Sequence, residues 1–456
     1  MKFSTIIPAI LLTLLAASCK LGHKYSRPDI NMPAEYSPLP DDTISIAELQ
    51  WWEVYPDTIL QSLITKALTN NKTLLMADAR IDELAAQYRV ARADMLPVIS
   101  GSAYVQKEGL NYGGDNFKND PENGLKLTVS WEVDLWGNLR WAKDRGKAQM
   151  MAAMENMHAV RMSLVAQVAQ AYFELVALDN EYDIVRQTLA ARAEGVRLAR
   201  LRFEGGLTSE TPFRQAEVEY ARTATYIPQL ERSIELKENQ ISFLLGEYPS
   251  SIPRTSFNPD VHLPEALPVG IPSDLLKRRP DIRMAEQELI AANAEMGMAY
   301  TNRFPRLTLT ATGGLESDEF SHFLKSPMHF LSAGLLGPVL DMGRRQSTYR
   351  AKQAAYQRQC IAYDQAVLTA FNDVRQAIIT FRKVQDIYTT WKQLEQAAKA
   401  NVDLARLQYI NGVISYIDVL DAQRSYFDAQ IGLSNAIRNK QLSLVTLYKA
   451  LGGGWQ

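Results

Sequence analysis

Cys19 is the residue whose chemistry follows most directly from its neighbours in the sequence. Lys2 makes the start of the chain positive, residues 6–16 form a short apolar run, and small residues fill the three positions before the cysteine. This order is typical of a secretory signal peptide, here residues 1–18, followed by a cysteine that carries a covalent lipid. Because Ala16 stands where a leucine is usual, ordinary signal-peptide cleavage without lipid is the alternative.

No set of side chains in the sequence predicts catalysis. There is no phosphate-binding loop, pair of neighbouring cysteines, nucleophile elbow or histidine pair at metal-ligand spacing. Met150, Met154 and Met157 fall on one helix face beside His158, but this spacing is typical of core packing as well as of a Cu(I) site, and we favour packing. The net charge of −2 gives no basic face for a nucleic acid. We therefore expect no enzyme activity, no metal, no cofactor besides the lipid, and no nucleic-acid partner.

Long stretches without proline predict very long helices. Good helix formers dominate residues 57–96, 122–211 and 339–456, none of which contains a proline. Continuous helices over 139–203 and 344–409 would each be roughly 100 Å long, a length that implies coiled-coil or barrel-like packing. Residues 19–57 are rich in proline and predict an extended arm.

Four short segments between the helices show the alternation that is typical of strands. We predict strands near 98–106, 124–135, 306–316 and 329–340. The second has apolar residues at odd positions from Leu125 to Leu135, with Lys126, Thr128, Ser130 and Glu132 between them. Four strands are too few for a membrane barrel, which needs about eight. They form either a soluble sheet or a barrel shared by several chains, and Trp131 and Trp136 favour the shared barrel.

The two halves of the chain repeat each other. Residues 202–209 align with 408–415 at a shift of 206, and the same shift carries Gly137 onto Gly343. Each half reads as helix, two strands, very long helix, glycine turn and helix. The predicted organisation is a signal peptide (1–18), an arm (19–57) and two repeats (58–260 and 261–456), which indicates an internal duplication.

The order of short motifs along the mature chain resembles the TolC-type outer-membrane efflux family, in particular its lipoprotein (NodT-like) branch. The motifs are Tyr25-x-Arg27-Pro28; Trp51-Trp52; Trp131-Glu132-Val133-Asp134-Leu135-Trp136-Gly137; Arg278-Arg279-Pro280-Asp281-Ile282; Val419-Leu420-Asp421-Ala422-Gln423; and Leu447-Tyr448-Lys449-Ala450-Leu451-Gly452. The resemblance implies an α+β membrane protein that is mainly α. Three chains would share a twelve-stranded β-barrel, four strands from each, continued by a long periplasmic α-helical barrel.

The resemblance also implies a function and partners. The homotrimer would be the passive outer-membrane duct of a tripartite efflux system, held by outer-membrane lipid and docked to a periplasmic adaptor and an inner-membrane resistance-nodulation-division pump. The alternative that the residues leave open is a periplasmic coiled-coil spacer lipoprotein without a pore. The sequence does not indicate the exported solute.

The candidate functional residues lie in two glycine turns and at the start of one helix. Gly205, Gly206 and Gly412 end long helices, with Ser209 and Ser415 placed to cap the next ones. The resemblance makes these turns the tips where adaptor helices pack, although any helical hairpin needs such turns. Ile417 and Asp421 lie four apart, and the resemblance implies that they form an apolar ring and a carboxylate ring that gate the pore. The alternative is that Asp421 only pairs with Arg424 or Arg214.

Overall fold

A computed structural model describes residues 20–30, 33, 45–110, 118–258 and 272–455 of the chain. Cys19, the predicted signal peptide and residues 31–32 and 34–44 of the predicted arm lie outside the described residues. The chain divides into two compact units. The first takes Ala79–Met154, Met284–Gln365 and the described residues up to Ile30. The second takes Glu155–Arg283, the C-terminal part from Ala366, and the described residues between Ile30 and Ala79.

Ten α-helices lie within the described part of the chain. They are α1 (Trp51–Val54), α2 (Thr58–Asn70), α3 (Lys72–Ala93), α4 (Asn138–Glu204), α5 (Glu210–Ala224), α6 (Tyr226–Leu244), α7 (Leu275–Arg278), α8 (Pro280–Thr301), α9 (Arg344–Ile410) and α10 (Tyr416–Ala450). The two very long helices predicted from the proline-free stretches are α4 and α9, with 67 residues each. None of the described helices is both long and apolar enough to cross a bilayer.

One antiparallel sheet contains the four described strands in the order β1-β2-β3-β4. They are β1 (Val98–Leu110), β2 (Lys118–Val133), β3 (Arg306–Ser317) and β4 (Pro327–Leu336). The second strand starts earlier than predicted, because Lys118 pairs with Leu110 at the end of β1. The fourth ends four residues before the predicted Leu340, because its partner β3 begins at Arg306, which pairs with Leu336.

The sheet has one apolar and one polar face, as the alternation along β2 predicts. On the apolar face Leu127 is 64% exposed and Leu331 is 79% exposed. On the polar face the hydroxyls of Thr128 and Thr312 are 3.0 Å apart, and Lys126 forms an ion pair with Glu316. Within the chain the apolar face therefore remains largely uncovered, while the polar face carries its own hydrogen bonds.

The duplication is visible in the helix boundaries. The ends of α4 recur in α9 at a shift of 206 residues (344 minus 138, and 410 minus 204). At the same shift α5 and α6 together correspond to α10, which runs unbroken from Tyr416 to Ala450. The first repeat breaks at Thr225 because Pro228 cannot donate a hydrogen bond to the carbonyl four residues earlier, and Ser434 occupies the equivalent place in α10.

Pairing of β2 with β3 leaves no space for a side chain at Gly314. A Cβ there would lie 2.1 Å from the carbonyl oxygen of Leu125, whereas a Cβ at the adjacent Gly313 would meet nothing within 4 Å. We expect Gly314→Ala to cost about 1–3 kcal/mol or more by forcing the strands apart. Thermal unfolding followed by circular dichroism checks this, with Gly313→Ala as the matched control, and equal midpoints for the two variants would contradict it.

Candidate functional site

The first glycine turn joins α4 to α5 and ends the long helix with a double hydrogen bond. Gly206 has a φ of +71°, which a glycine adopts without steric cost. Its N–H donates to the carbonyl of Phe203 at 2.9 Å, and the N–H of Leu207 donates to the carbonyl of Arg202 at 2.9 Å. This pattern satisfies carbonyls that the helix end would otherwise leave free. The backbone N–H of Gly205 still donates a hydrogen bond within the last turn of the helix.

The second glycine turn joins α9 to α10 and repeats that geometry. Gly412 has a φ of +74°. Its N–H donates to the carbonyl of Tyr409 at 3.0 Å, and the N–H of Val413 donates to the carbonyl of Gln408 at 2.9 Å. The turn geometry predicted from the glycines is therefore present in both repeats.

The two serines after the turns hold equivalent positions but make different contacts. Ser415 is the N-cap of α10, and its N–H and hydroxyl lie 2.9 and 2.8 Å from the Asp418 carboxylate. Ser209 is the N-cap of α5, but its side chain makes no capping hydrogen bond. The predicted capping role therefore involves a side chain only at the second turn, since Asp418 supplies the carboxylate there.

An apolar cluster, which we call the tip cluster, packs behind both turns. Its buried members come from α4, α5 and α10, and they are Ala199, Phe213, Ala216, Tyr416, Val419 and Leu420. The outer side of the turns is apolar too, because Leu207 is 73% exposed and Val413 is 69% exposed. The turns thus have a packed interior and exposed apolar residues on their outer side.

Ile417 and Asp421 lie together on the exposed face of α10. Ile417 is 48% exposed and the Asp421 side chain is 64% exposed, whereas Val419 and Leu420 between them are buried in the tip cluster. The four-residue spacing therefore places both predicted gate residues on one face of the helix. Asp418 is not on this face, and its carboxylate accepts a hydrogen bond from the N–H of Ser415.

Arg424 connects Asp421 to a buried carboxylate. One guanidinium nitrogen lies 2.7 Å from Asp421 Oδ1, and another lies 2.7 Å from Glu219 Oε1. Of the two pairings considered for Asp421, the one with Arg424 is therefore present, whereas Arg214 pairs with Glu210 and Glu217.

Glu219 is 2% exposed and is the centre of a charge network that we call the buried arginine cluster. Its carboxylate lies 3.1 Å from Arg192 and 3.2 Å from Arg222, in addition to Arg424. Burial raises the pKa of Glu219, but the hydrogen bond from Arg424 and the charges of the arginines outweigh it and hold the pKa below its ordinary value. Glu219 therefore stays ionised as the shared counter-charge of three arginines.

Sequence reasoning missed this cluster. Arg192 and Glu219 are on different helices, so no local spacing connects them. One signal was present in α5, where Glu219 and Thr223 lie on the face that also carries the buried Phe213 and Ala216. Charged residues on an apolar helix face are rarely buried without a partner, and that partner is visible only in the packed structure.

His158, which the sequence places beside Met150, Met154 and Met157, contacts an aromatic ring and a carboxylate. His158 stacks on Trp455 with ring centroids 4.7 Å apart, and its Nδ1 lies 3.4 Å from Glu155. Within the described residues no group of three or more His, Cys, Asp or Glu side chains is placed to hold a metal ion. Cys19 lies outside the described residues.

Known proteins match this chain along nearly its whole length. The family model described as outer membrane efflux protein matches residues 63–247 and 271–453. The cation efflux system protein CusC of Escherichia coli is 28% identical over 97% of this chain and 97% of its own. The outer membrane protein OprJ of Pseudomonas aeruginosa is 30% identical over 98% of this chain and 96% of its own. The solved outer-membrane channel OprN superposes with a TM-score of 0.90 at 26% identity, covering 96% of this chain and 100% of that one.

Replacing Glu219 tests the buried arginine cluster. Glu219→Gln removes the counter-charge of three arginines, and breaking such a buried pair costs about 3–5 kcal/mol. The control is Glu217→Gln on the same helix, whose side chain is 35% exposed and whose loss costs within about 0.5 kcal/mol. Chemical denaturation measures both, and a Glu219→Gln loss no larger than the control would contradict the assignment.

The lowered pKa of Glu219 also predicts how the stabilities of the wild type and of Glu219→Gln depend on pH. A carboxylate with a depressed folded pKa stabilises the protein above its ordinary pKa of 4.5, and that stabilisation is lost as the pH falls through the folded value. The gap in stability between the wild type and Glu219→Gln should be constant above pH 4.5 and shrink below it. A difference in stability that grows as the pH falls would contradict this prediction.

Proposed function

Because the chain belongs to the outer membrane efflux protein family, we propose that it is the outer-membrane channel of a tripartite efflux system. It receives small solutes from a periplasmic adaptor and an inner-membrane pump of the resistance-nodulation-division class, and it releases them outside the cell. The observation that carries this proposal is the likeness to the channel OprN over 96% of the chain. The channel itself is passive and does no catalysis, since the pump supplies the energy.

The sheet supports assembly as a trimer. Its first and last strands, β1 and β4, each have one strand neighbour in the described part of the chain. In lipid, an open edge leaves backbone N–H and C=O groups without partners. Three copies joined edge to edge close a twelve-stranded barrel, with exposed side chains such as Leu127 and Leu331 facing lipid and Lys126 and Glu316 facing the lumen.

The two glycine turns form the periplasmic tips of this channel and carry the adaptor-docking surface. Gly205, Gly206 and Ser209 shape the first tip, and Gly412 and Ser415 shape the second. The exposed apolar residues beside them, Leu207 and Val413, provide the area that an adaptor helix covers. The buried tip cluster behind the turns supports that surface.

Ile417 and Asp421 form the gate at the tips. In a three-fold channel each makes a ring, and an apolar ring resists wetting while a carboxylate ring attracts cations. Their exposure within one chain supports this, because both side chains are available at a symmetry axis. Arg424 holds the Asp421 carboxylate at a defined place on the helix.

A covalent lipid on Cys19 anchors the chain in the outer membrane. The following residue, Lys20, is bound by the Asp144 carboxylate and lies over the ring of Trp141 with its ammonium 3.3 Å from the ring centroid. The start of the mature chain is therefore held against the protein. The lipid strengthens the attachment to the membrane that the barrel provides.

Channel activity is the test of the proposed function. We expect the protein to sediment with outer membranes, resist carbonate extraction, and have the mass of a trimer in neutral detergent by light scattering. Reconstituted into planar bilayers, it should produce discrete single-channel currents. The spacer alternative predicts release by carbonate and no current, and that outcome would refute the channel.

A variant of Asp421 tests the gate separately. Asp421→Ala removes the carboxylate ring, so the closed channel should leak, with a several-fold rise in basal current and a weaker preference for cations in reversal potentials. Cells carrying it should become more sensitive to antibiotics. The matched control is Asp386→Ala, since Asp386 is also exposed and pairs with a cation three residues away. Basal current and selectivity equal to those of the control would rule out a gating role for Asp421.

A further inference from the structure

The contact between the two repeats inside one chain indicates how the repeats of neighbouring chains meet. At a shift of 208 residues α3 becomes α8 and β1 becomes β3, and at a shift of 206 β2 becomes β4 and α4 becomes α9. Strand pairing within each repeat obeys both shifts, since Val98 lies opposite Ser130 and, correspondingly, Arg306 lies opposite Leu336. The join between β2 and β3 within a chain is therefore equivalent to a join between β4 of one chain and β1 of another.

The join inside the chain is closed at one end by a corner where the start of α4 meets the end of α8. The indole N–H of Trp136 donates to the carbonyl of Pro305 at 2.7 Å, and its ring lies 5.1 Å from that of Phe304. The side-chain amide nitrogen of Asn138 lies 3.2 Å from Asn302 Oδ1. An aromatic contact and a polar contact thus hold the corner together.

The second repeat has the same corner without a partner. At the shift of 206 residues, Met342 and Arg344 take the places of Trp136 and Asn138. Met342 is 87% exposed, and Arg344 is exposed as well. A Cβ added to Gly343 between them would meet nothing within 4 Å. Within one chain this corner is therefore open.

The complementary half of that corner lies at the other edge of the sheet, where α3 ends and β1 begins. At the shift of 208 residues, Asp94 and Leu96 take the places of Asn302 and Phe304. Leu96 is 64% exposed, and Asp94 is exposed as well. Both halves of the corner therefore present one apolar and one charged side chain.

The charges of the two open halves are complementary. Inside the chain the polar contact joins two neutral asparagines, whereas the equivalent positions hold Arg344 and Asp94. Across the described residues, neither of these two side chains has an oppositely charged group within ion-pair distance in its own chain. The nearby Asp341 carboxylate lies 3.7 Å from Arg345 instead. The exchange of both asparagines for opposite charges is therefore an observation independent of the exposed apolar residues.

We propose that Arg344 of one copy forms an ion pair with Asp94 of a second copy, and that Met342 packs on Leu96 beside it. A guanidinium can bind a carboxylate with paired hydrogen bonds, which fixes the relative orientation of the two groups. The occupant of the open corner is thus a second copy of this chain. The inference rests on the proposed function, because it needs the edges of β4 and β1 to meet in a shared barrel.

The same shifts define the strand register at the join between copies. Inside the chain Val129 lies opposite Ala311, so Leu335 of one copy lies opposite Ala103 of the next. Leu335 is 65% exposed on the apolar face. A slip by one residue would turn that face inward, so the competing registers place Leu335 opposite Gly101 or Val105.

Charge reversal in the full-length protein tests the ion pair. Trimers in neutral detergent are heated, and light scattering after size-exclusion chromatography follows their dissociation. We expect Arg344→Glu and Asp94→Arg each to dissociate about tenfold faster or more, because like charges then face each other at every join. Arg344→Glu/Asp94→Arg restores opposite charges and should dissociate more slowly than either single variant.

The matched control replaces an exposed arginine of the same helix. Arg350→Glu should dissociate like the wild type, and Asp94→Arg/Arg350→Glu should be as fast as Asp94→Arg alone. Single reversals without effect, or a double reversal as fast as the faster single variant, overturn the ion pair. Circular dichroism of each variant checks that its helices are retained.

Disulfide formation tests the register. Directly opposite Cα atoms in antiparallel strands are about 4.5–5.5 Å apart, which a disulfide spans, whereas a slip of two residues places them too far apart. In a Cys360→Ala background, Leu335→Cys/Ala103→Cys should form covalent trimers with oxidant on a non-reducing gel. Leu335→Cys/Gly101→Cys and Leu335→Cys/Val105→Cys should not, and a cross-link in either of these instead overturns the register.

The wild type separates this inference from the proposed function. A wild-type trimer that conducts in planar bilayers, without rescue by the reversed charges or with a cross-link only in a slipped pair, refutes the proposed join and leaves the channel. A wild type that neither forms trimers nor conducts refutes both.

Discussion

Hydrogen bonding at the edges of the sheet is the constraint on which the rest of this protein depends. In the described part of the chain β1 and β4 each have one strand neighbour, and residues such as Leu127 and Leu331 leave one face apolar and exposed. Lipid offers no partner to an open strand edge, so such a sheet is stable there only when the edges of several copies meet. Assembly is thus a requirement of the sheet, and the family to which the chain belongs meets it as a channel.

The second constraint is the pairing of charged side chains near the two glycine turns. Three arginines share the buried Glu219, and the exposed Asp421 takes part of the charge of Arg424. A buried ion pair contributes little net stability, but losing one partner is costly. The cluster therefore fixes the relative position of α4, α5 and α10, and it joins a proposed gate residue to the core that supports it.

The duplication shows which features both halves of the chain share and where they differ. Both repeats keep a glycine with positive φ after a 67-residue helix, because the turn requires that conformation. They differ at Pro228, which breaks the helix that follows the turn in the first repeat, whereas Ser434 holds the equivalent place in the unbroken α10.

Local patterns in the sequence determined the helices, the four strands, the two glycine turns and the exposed face of α10, because each depends on residues within a few positions of one another. The predicted end of the fourth strand was wrong because the apolar pattern continued past Leu336, where pairing with β3 stops. The tertiary structure alone decided that Arg192 and Arg424 meet Glu219. These contacts join residues on different helices, and only the packing of separate elements brings their charges within a few ångströms.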